Sequence, residues 1–466
     1  MPGARLDYRW VVFLVGLTQL VITTDFSIVA VALPSIGAQL HIPPASLSWV
    51  ISAAALSGGG FLILAGRAAD IFGQRACMLT GLALFAAGSL GAALAPSLPF
   101  LIAARVLQGL GGAVLTPANF SLINTLVPEG ALRRRAMGVF GLMQGVSLVI
   151  GLLLGGALTT HFGWRAVFLL NPPIVLLAMA LAWRAVPARL QGAKTEESRI
   201  DWLGAALIVT GMTLVLLGVS AMGREGVTAM RPLALLAGGV LGFILFFIVE
   251  TRVAAPLAPP SMFGHRNFTS ATAILMLHLA GIGGVFVLLS LYMQTGLKMS
   301  AMRSGLGMMP YAIAVMAAGQ AAPTLMGRFS HRAIAFVTLG LYVLGLGLLA
   351  MLSGAANYWI AVALGGVVTA FGATTAFMAL MAEGTSDIPH AQQGAASAVL
   401  FTAQQIGIPL GATIALSVLG FAGGHGLGAF KAAYLVVAAI IIGALVIALA
   451  TLRPVHASPP PTLVPS

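Results

Sequence analysis

Charged side chains are scarce in this sequence: they make up 7% of its 466 residues, against about 25% in an ordinary soluble protein. This scarcity excludes a soluble globular domain. The apolar share of 59%, with a mean hydropathy of +1.03, indicates an integral membrane protein. Cysteine is also nearly absent. The single residue, Cys77, excludes an internal disulfide and a thiolate metal cluster, and we expect no metal and no cofactor.

Acidic residues are the scarcest charged type, with eleven Asp and Glu against 23 Lys and Arg, so the net charge is +12. Such a balance can indicate a nucleic-acid partner, but the positions of the basic residues favour another explanation. With a cytoplasmic N-terminus, sixteen of them fall in inside loops, six in outside loops and one, Arg105, in a span. This asymmetry follows the positive-inside rule. It predicts that both termini are cytoplasmic and that the surroundings are a lipid bilayer, with no nucleic-acid partner.

A helix needs about 20 apolar residues to cross the hydrocarbon core of a bilayer. Fourteen runs in the sequence meet this requirement, and the connections between them are short. They predict an all-α integral membrane fold with fourteen transmembrane helices. The runs are 10–33, 48–66, 77–95, 98–118, 136–159, 165–184, 202–222, 232–250, 269–293, 305–326, 333–353, 357–379, 395–420 and 430–452.

Two polar connections divide these runs into groups of six, two and six. The predicted domains are an N-terminal six-helix bundle at 1–188, a cytoplasmic linker with two additional transmembrane helices at 189–265, a C-terminal six-helix bundle at 266–455 and a disordered cytoplasmic tail at 456–466. Gly66-Arg67 after the second run is echoed by Gly327-Arg328 after the tenth. Repeats of this kind are typical of secondary transporters, whose substrate site lies between the halves.

One acidic residue, Asp25, lies inside an apolar run, where an ionisable group is costly and marks a candidate functional site. Its candidate partner is Arg105, which lies at a similar depth in the fourth run when a helix is counted at about 1.5 Å per residue. Gln108 follows three residues later and shares a helix face with Arg105. Two interpretations stay open. Either the pair takes part in proton movement, or it is a static pair that locks two helices together.

The turn after the second run resembles the G-x-L-A-D-R-x-G-R-K loop of the major facilitator superfamily. The resemblance implies a gating loop that steadies an outward-open state through a charge network, whereas the alternative is a solvated turn. The matching positions are Gly66, Asp70, Gly73 and Arg75, and the departures are Ala68, Ile71 and Gln74. The candidate gating residues are Gly66, Arg67, Asp70, Gly73 and Arg75.

Other segments resemble the fourteen-span drug:proton antiporter branch of that superfamily. The first run, with Asp25 ahead of V-A-L-P, resembles the first-helix motif of this branch. In the superfamily the arginine that corresponds to Arg105 is tied to proton movement. The fourth-helix motif is matched at Leu101, Arg105, Gln108 and Gly109.

The fifth-helix signature of antiporters, G-x-x-x-G-P-x-x-G-G, is matched in part. Gly151, Gly155 and Gly156 are present as a candidate packing motif, but Leu152 replaces the proline. A proline at this place would kink the helix. Its absence weakens the indication of antiport relative to other modes of coupling.

Taken together, the resemblance implies the major facilitator fold, with two six-helix bundles plus two extra helices, in a bacterial-type cytoplasmic (inner) membrane. It implies a proton-coupled secondary active transporter that exports lipophilic or amphipathic small molecules, as in multidrug efflux, by alternating access. Asp25 takes a proton from outside in this scheme, and substrate and proton compete through the Asp25–Arg105 pair. The expected partners are a small-molecule substrate and protons, and we expect a monomer.

Further candidate residues come from the C-terminal half. His278, in the ninth run, is a candidate second proton site because imidazole titrates near neutral pH, and a hydrogen-bonded structural histidine is the alternative. Methionines and aromatic residues there can supply a deformable cavity lining, although core packing is the alternative. The candidate cavity residues are Gln108, Met276, Tyr292, Met308 and Tyr311.

Other functions stay open in part. An importer, a uniporter or a metabolite exchanger of the same fold is the main alternative, and a non-transporting membrane protein is a weaker one. An enzyme is disfavoured because the sequence carries no nucleophile or metal constellation: Cys77 has no nearby histidine, and no His/Asp/Glu cluster has ligand spacing.

Overall fold

The computed structural model describes residues 8–43, 46–58, 61, 73–128, 131–187, 202–226, 228–253, 260–352, 358–388, 393–423 and 426–452. Every regular element within these residues is helical. The helices are α1 (Tyr8–Leu40), α2 (Ser46–Gly58), α3 (Gln74–Ala93), α4 (Leu98–Leu126), α5 (Ala131–Phe162), α6 (Arg165–Leu169), α7 (Asn171–Ala185), α8 (Trp202–Glu225), α9 (Met230–Glu250), α10 (Arg266–Leu291), α11 (Ala301–Gly307), α12 (Met309–Met326), α13 (His331–Leu352), α14 (Gly366–Ser386), α15 (Gln393–Phe421) and α16 (Leu427–Thr451).

Within the described residues these helices form fourteen consecutive segments, as fourteen spans require, and ten of the segments are long and apolar enough to cross a membrane. Helices α6 and α7 form one crossing that breaks at Leu170, just before the Pro172-Pro173 pair of α7, and α11 and α12 form another that breaks at Met308, before Pro310. Proline fits the first turn of a helix because its missing N–H would have no partner there. The all-α, fourteen-helix membrane prediction is therefore confirmed.

The helices of the two halves cross by the same plan. A methyl group at Gly88 of α3 would lie 2.6 Å from the Gln108 backbone nitrogen of α4, and one at Gly345 of α13 would lie 2.5 Å from the Thr369 nitrogen of α14. Gly111 of α4 lies against the backbone of Phe85, three residues before Gly88. In the same way, Gly372 of α14 lies against the backbone of Tyr342, three residues before Gly345. The α3–α4 and α13–α14 pairs thus make the same glycine contacts at the same spacing. This is expected if the two halves repeat one helical unit.

The α1–α5 and α10–α15 pairs repeat a second crossing. Gly151 and Gly155 of α5 lie against residues 24–28 of α1, and Gly407 and Gly411 of α15 lie against residues 276–280 of α10. In both pairs the glycines are four residues apart and leave room only for a neighbouring backbone. This packing agrees with the echo in the sequence. The domain boundaries at 188 and 265 remain predictions.

The two additional helices, α8 and α9, pack against each other and lie beside α15. Ser417 Oγ of α15 donates to the Val219 carbonyl of α8 at 3.2 Å, and Leu56 of α2 shares a small apolar cluster with Met212 and Leu216 of α8. Helix α8 thus bridges one helix from each half.

We call the end of the molecule where α1 begins the inner end and the end where α1 finishes the outer end, after the predicted orientation. At the outer end the two halves touch: the Met302 amide of α11 donates to Thr160 Oγ1 of α5 at 3.0 Å, and a methyl group at Gly156 would lie 2.8 Å from the Ala301 carbonyl oxygen. At the inner end, a groove of about 500 Å³ opens between α1 and α5. The molecule is therefore closed at its outer end.

Candidate functional site

Asp25 lies in the middle of α1 and is 5% exposed. Its Oδ2 accepts a hydrogen bond from Arg105 Nη1 at 2.5 Å, and its Oδ1 accepts from Gln108 Nε2 at 2.8 Å and from Asn171 Nδ2 at 2.9 Å. Helices α4 and α7 supply these donors. The structure therefore brings the three sequence-predicted residues Asp25, Arg105 and Gln108 together and adds Asn171.

Arg105 is held in place from several sides and is 2% exposed. Besides Asp25, its Nη1 donates to Gln108 Oε1 at 2.7 Å, and its Nε donates to the Val50 carbonyl of α2 at 2.7 Å. The guanidinium carbon also lies 5.8 Å from the centre of the Phe168 ring. A buried ion pair tolerates the loss of water only when further hydrogen bonds complete it, and this pair has them.

Ser89 of α3 closes the cluster from the far side. Its Oγ accepts from Gln108 Nε2 at 2.8 Å and from Asn171 Nδ2 at 3.2 Å, and it donates to the Phe85 carbonyl at 2.8 Å. We call Asp25, Ser89, Arg105, Gln108 and Asn171 the Asp25 network. All five are at least 95% buried, and they join α1, α3, α4 and α7.

Sequence analysis missed Ser89 and Asn171. Both are neutral polar residues in apolar runs, and such residues are common enough that neither stands out. The available signal was the position of Asn171 directly before the Pro172-Pro173 pair, because that pair starts α7 and fixes Asn171 at its first turn. A polar side chain at a helix break inside a membrane is well placed to face other polar groups.

The hydrogen bonds of the Asp25 network have one direction. The side-chain groups that bond Asp25 are all donors: a guanidinium and two amide nitrogens. The serine hydroxyl that receives the same two amides passes its own hydrogen to a backbone carbonyl. The network therefore presents N–H donors to both oxygens of Asp25.

The three fifth-helix glycines lie at two different contacts. Gly151 and Gly155 pack on α1, where a methyl group at Gly151 would collide with the Ser27 hydroxyl, and Gly156 packs on α11 of the other half. Leu152, in the position of the signature proline, is fully buried, and its carbonyl lies against Gly305 of α11. Helix α5 thus touches the other half through small residues without the kink that a proline would introduce.

Of the candidate gating loop, Gly66, Arg67 and Asp70 lie outside the described residues. Gly73 has a φ of 88°, a left-handed conformation that glycine adopts readily, and α3 begins at the next residue. The guanidinium of Arg75 lies 4.1 Å from the centre of the Trp183 ring of α7. This cation–π contact ties the start of α3 to the end of α7.

His278 is fully buried in α10, inside the C-terminal half. Its ring packs edge-on against Tyr342 of α13, with 5.4 Å between the ring centres. It does not join the Asp25 network, whose residues lie on α1, α3, α4 and α7. A role as a second proton site stays a prediction.

The five candidate cavity residues lie in different surroundings within the described structure, and their role in a substrate cavity stays a prediction. Gln108 belongs to the Asp25 network, and Met276 borders an apolar cavity of about 90 Å³ between α8 and α15. Tyr292 packs against Phe430 and Met308 is fully buried, whereas Tyr311 lies edge-on to Phe286 near the contact between the halves.

A cavity of about 500 Å³ forms the groove at the inner end. Its walls are apolar side chains of α1 and α5, and Arg9 and Arg135 lie at its inner rim. Sequence reasoning missed it because a groove depends on how two helices splay rather than on residue type. The residues that line it are Tyr8, Arg9, Val12, Phe13, Gly16, Leu17, Leu20, Leu132, Arg135, Ala136, Val139 and Met143.

Fourteen crossings, two halves packed by the same plan and a buried ion pair define the chain as a secondary transporter. Residues 15–412 match the Major Facilitator Superfamily, and the chain belongs to that family. It is a multi-pass membrane transporter and not an enzyme.

Several relatives of this chain are named for export or resistance. The cephamycin export protein CmcT of Amycolatopsis lactamdurans is 35% identical over 433 residues, which cover 92% of this chain and 89% of the relative. The puromycin resistance protein pur8 of Streptomyces alboniger is 32% identical, covering 89% and 82%. The multidrug efflux pump LfrA of Mycolicibacterium smegmatis is 30% identical, covering 86% and 79%.

Solved structures agree with the fold. A D-xylose-proton symporter superposes with a TM-score of 0.67 at 15% identity, covering 96% of this chain and 98% of the other. An auto inhibited peptide transporter of the POT family superposes with a TM-score of 0.65 at 14% identity, covering 97% and 99%. At these identities the likeness concerns the fold alone.

Proposed function

We propose that this protein exports lipophilic or amphipathic small molecules in exchange for protons, by alternating access, with Asp25 as the proton carrier and Arg105 as its partner. One observation carries the proposal: in a molecule closed at its outer end, both oxygens of Asp25 are held by donors. The relatives named for cephamycin export, puromycin resistance and multidrug efflux support export as the direction.

The direction of the hydrogen bonds gives the proton step. The carboxylate of Asp25 has about four lone-pair sites, and N–H donors from the described residues occupy both sites of Oδ1 and one site of Oδ2. A proton on Oδ1 would displace a donor, and protonation at either oxygen would leave the buried guanidinium of Arg105 without its counter-charge. The outward-closed arrangement therefore favours the ionised carboxylate. In the proposed cycle, Asp25 takes up a proton while the transporter is open to the outside and releases that proton when the outer end closes. The return to the outward-open state carries the substrate out.

The groove at the inner end supports the substrate class. Its volume of about 500 Å³ falls within the usual range for small-molecule sites, about 300–1,000 Å³, and its walls are mostly apolar. The Asp25–Arg105 pair carries no net charge, so it offers no anionic site for a dication. We infer that a lipophilic or amphipathic molecule enters between α1 and α5 before the halves rock.

The rest of the proposal follows the sequence. Both termini are cytoplasmic, in a bacterial inner membrane, and the protein works as a monomer of two six-helix bundles and two extra helices. The loop from Gly66 to Arg75 steadies the outward-open state, and His278 is a second proton site.

A uniporter or exchanger is the second candidate, and one observation favours it. The Asp25 network joins helices of the N-terminal half only, so it could lock α1, α3, α4 and α7 without taking part in transport. In that case Asp25 and Arg105 are a structural pair.

Proteoliposomes with an acidic lumen and a luminal pH dye separate the two candidates. Lipophilic cations, neutral drugs and anions are added in turn, and we expect substrate-dependent proton efflux in the wild type that Asp25→Asn abolishes. The control is Glu225→Gln, the same change at an exposed ion pair with Arg231 outside the network. Proton efflux that persists in Asp25→Asn would remove Asp25 from the mechanism. Substrate equilibration without proton movement would favour the uniporter or exchanger.

A further inference from the structure

Helix α1 contains Pro34, which has no backbone N–H. The carbonyl four residues earlier, that of Ala30, therefore has no amide partner within its own helix. Ser290 of α10 fills the vacancy: its Oγ donates to the Ala30 carbonyl at 2.8 Å, across the contact between the two halves. Ser290 is fully buried, so this bond is shielded from water.

The next carbonyl of α1, that of Val31, also accepts a hydrogen bond from the opposite half. Gln294 lies in the π-helical turn Tyr292–Gly296 that follows α10, and its Nε2 donates to the Val31 carbonyl at 2.9 Å and to Ser290 Oγ at 3.1 Å. Single π-helical turns are frequent at functional sites. We call the Ala30 and Val31 carbonyls with Ser290 and Gln294 the outer latch.

Helix α1 also connects the outer latch to the Asp25 network. Asp25 faces α4 and α7, whereas its neighbour Phe26 stacks on Phe286 of α10 with 5.3 Å between the ring centres. Ala30 follows Asp25 by five residues, about 7.5 Å along the helix. Residues 25–30 of α1 thus contact the Asp25 network on one face of the helix and α10 of the C-terminal half on another face.

We propose that the outer latch is the gate that holds the outer end closed, and that Pro34 makes it releasable. The outer end can open only if Ser290 Oγ and the Ala30 carbonyl separate. Because of Pro34, α1 cannot satisfy that carbonyl itself, and a buried carbonyl without a partner is costly. Opening therefore requires water to enter and bind the Ala30 carbonyl. The gate then has two distinct states: a closed state without water at the latch and an open state with water there.

The link to Asp25 rests on the proposed function. The closed arrangement favours the ionised carboxylate, so neutralising Asp25 shifts the population toward the open arrangement by linkage. Movement of α1 then carries the change to Ala30 and Val31. Substrate release to the outside and loss of the latch are the same event in this scheme.

Distances between two spin labels at the outer end test the gate directly. The full-length protein with Cys77→Ala receives cysteines at Leu94, which follows α3, and at Phe421, which ends α15; both positions are 74% exposed. Electron-spin distance measurements then give the populations of closed and open molecules in nanodiscs. The latch variants are Ser290→Ala, Gln294→Leu and Pro34→Ala, the last of which supplies an amide that competes for the Ala30 carbonyl.

We expect each latch variant to lower the closed-to-open ratio about fivefold, the change that corresponds to one net hydrogen bond of about 1 kcal/mol. The matched control is Thr295→Val, because the Thr295 hydroxyl bonds the Leu291 carbonyl of its own helical segment at 2.8 Å. Its distance distribution should match the parent's. Parent-like distributions in the latch variants, or an equal opening in Thr295→Val, would overturn the latch.

Asp25→Asn, measured in the same way, tests the link. An open population larger than the parent's supports the coupling, and an unchanged one removes it. The vesicle assay of proton efflux is scored separately, so a failure of proton coupling there leaves the distance result for Ser290 and Gln294 to decide the gate by itself.

Discussion

Arg105 lies at the centre of the Asp25 network, so replacing it by lysine separates geometry from charge. Arg105 uses Nη1 for Asp25 and Gln108, and Nε for the Val50 carbonyl. Lysine keeps the positive charge but places it on a single nitrogen at the end of a flexible stem. We expect Arg105→Lys to keep the contact with Asp25 and to lose those with Gln108 and Val50.

The size of the effect follows from the two lost hydrogen bonds. At about 1 kcal/mol each, they amount to about 2 kcal/mol of the energy that holds the network in its working geometry. If every transport cycle needs that geometry, the rate falls about 30-fold. The assay is the initial rate of substrate-driven proton efflux from proteoliposomes, normalised to the amount of folded protein.

The matched control for this variant is Arg231→Lys. Arg231 pairs with Glu225 at 2.9 Å, but its side chain is 69% exposed, and exposed pairs contribute little. We expect the control to transport at close to the wild-type rate. A wild-type rate in Arg105→Lys would refute the reasoning, because charge alone would then suffice.

Three further changes test other parts of the account. Asn171→Leu removes a donor to Asp25 at similar volume, and proton-coupled efflux in the same vesicles should fall at least about tenfold; an unchanged rate would remove Asn171 from the network's function. Gly151→Ala should lower stability by about 1–3 kcal/mol in thermal unfolding, because its methyl group collides with Ser27, whereas Gly112→Ala, where a methyl group has no neighbour within 4 Å, should stabilise slightly. Equal melting temperatures would contradict this packing. Val139→Trp fills the inner groove, so the KM for lipophilic substrates should rise several-fold with the number of protons per substrate unchanged; an unaltered KM would place the substrate elsewhere.

The sequence predicted most reliably the features that a membrane protein needs in order to span the bilayer, namely its apolar helices and the pairing of its buried charges. Fourteen crossings follow from apolar length, and the breaks at Leu170 and Met308 are marked by the prolines that follow them. Asp25 and Arg105 could be paired in advance because a lone charge in hydrocarbon is costly and each was the natural partner for the other.

The rest depends on shape and on neutral groups. Ser89 and Asn171 carry no charge, so nothing in the sequence required them to have a particular partner. The inner groove and the two-helix approach at Gly151 arise from how helices cross, which residue types do not specify. The outer latch is similar: Pro34 showed that a carbonyl would be free, but only the packing of α10 shows that Ser290 meets it.

The exchange of substrate for protons is the central claim, and one measurement tests it most directly. Purified protein is reconstituted with equal pH on both sides, a gradient of one transported substrate is imposed, and the luminal pH is followed with a trapped dye. Antiport predicts that protons move against the direction of substrate flow, and that Asp25→Asn abolishes this movement. Protons that move with the substrate, or a luminal pH that stays constant while the substrate equilibrates, would contradict the account.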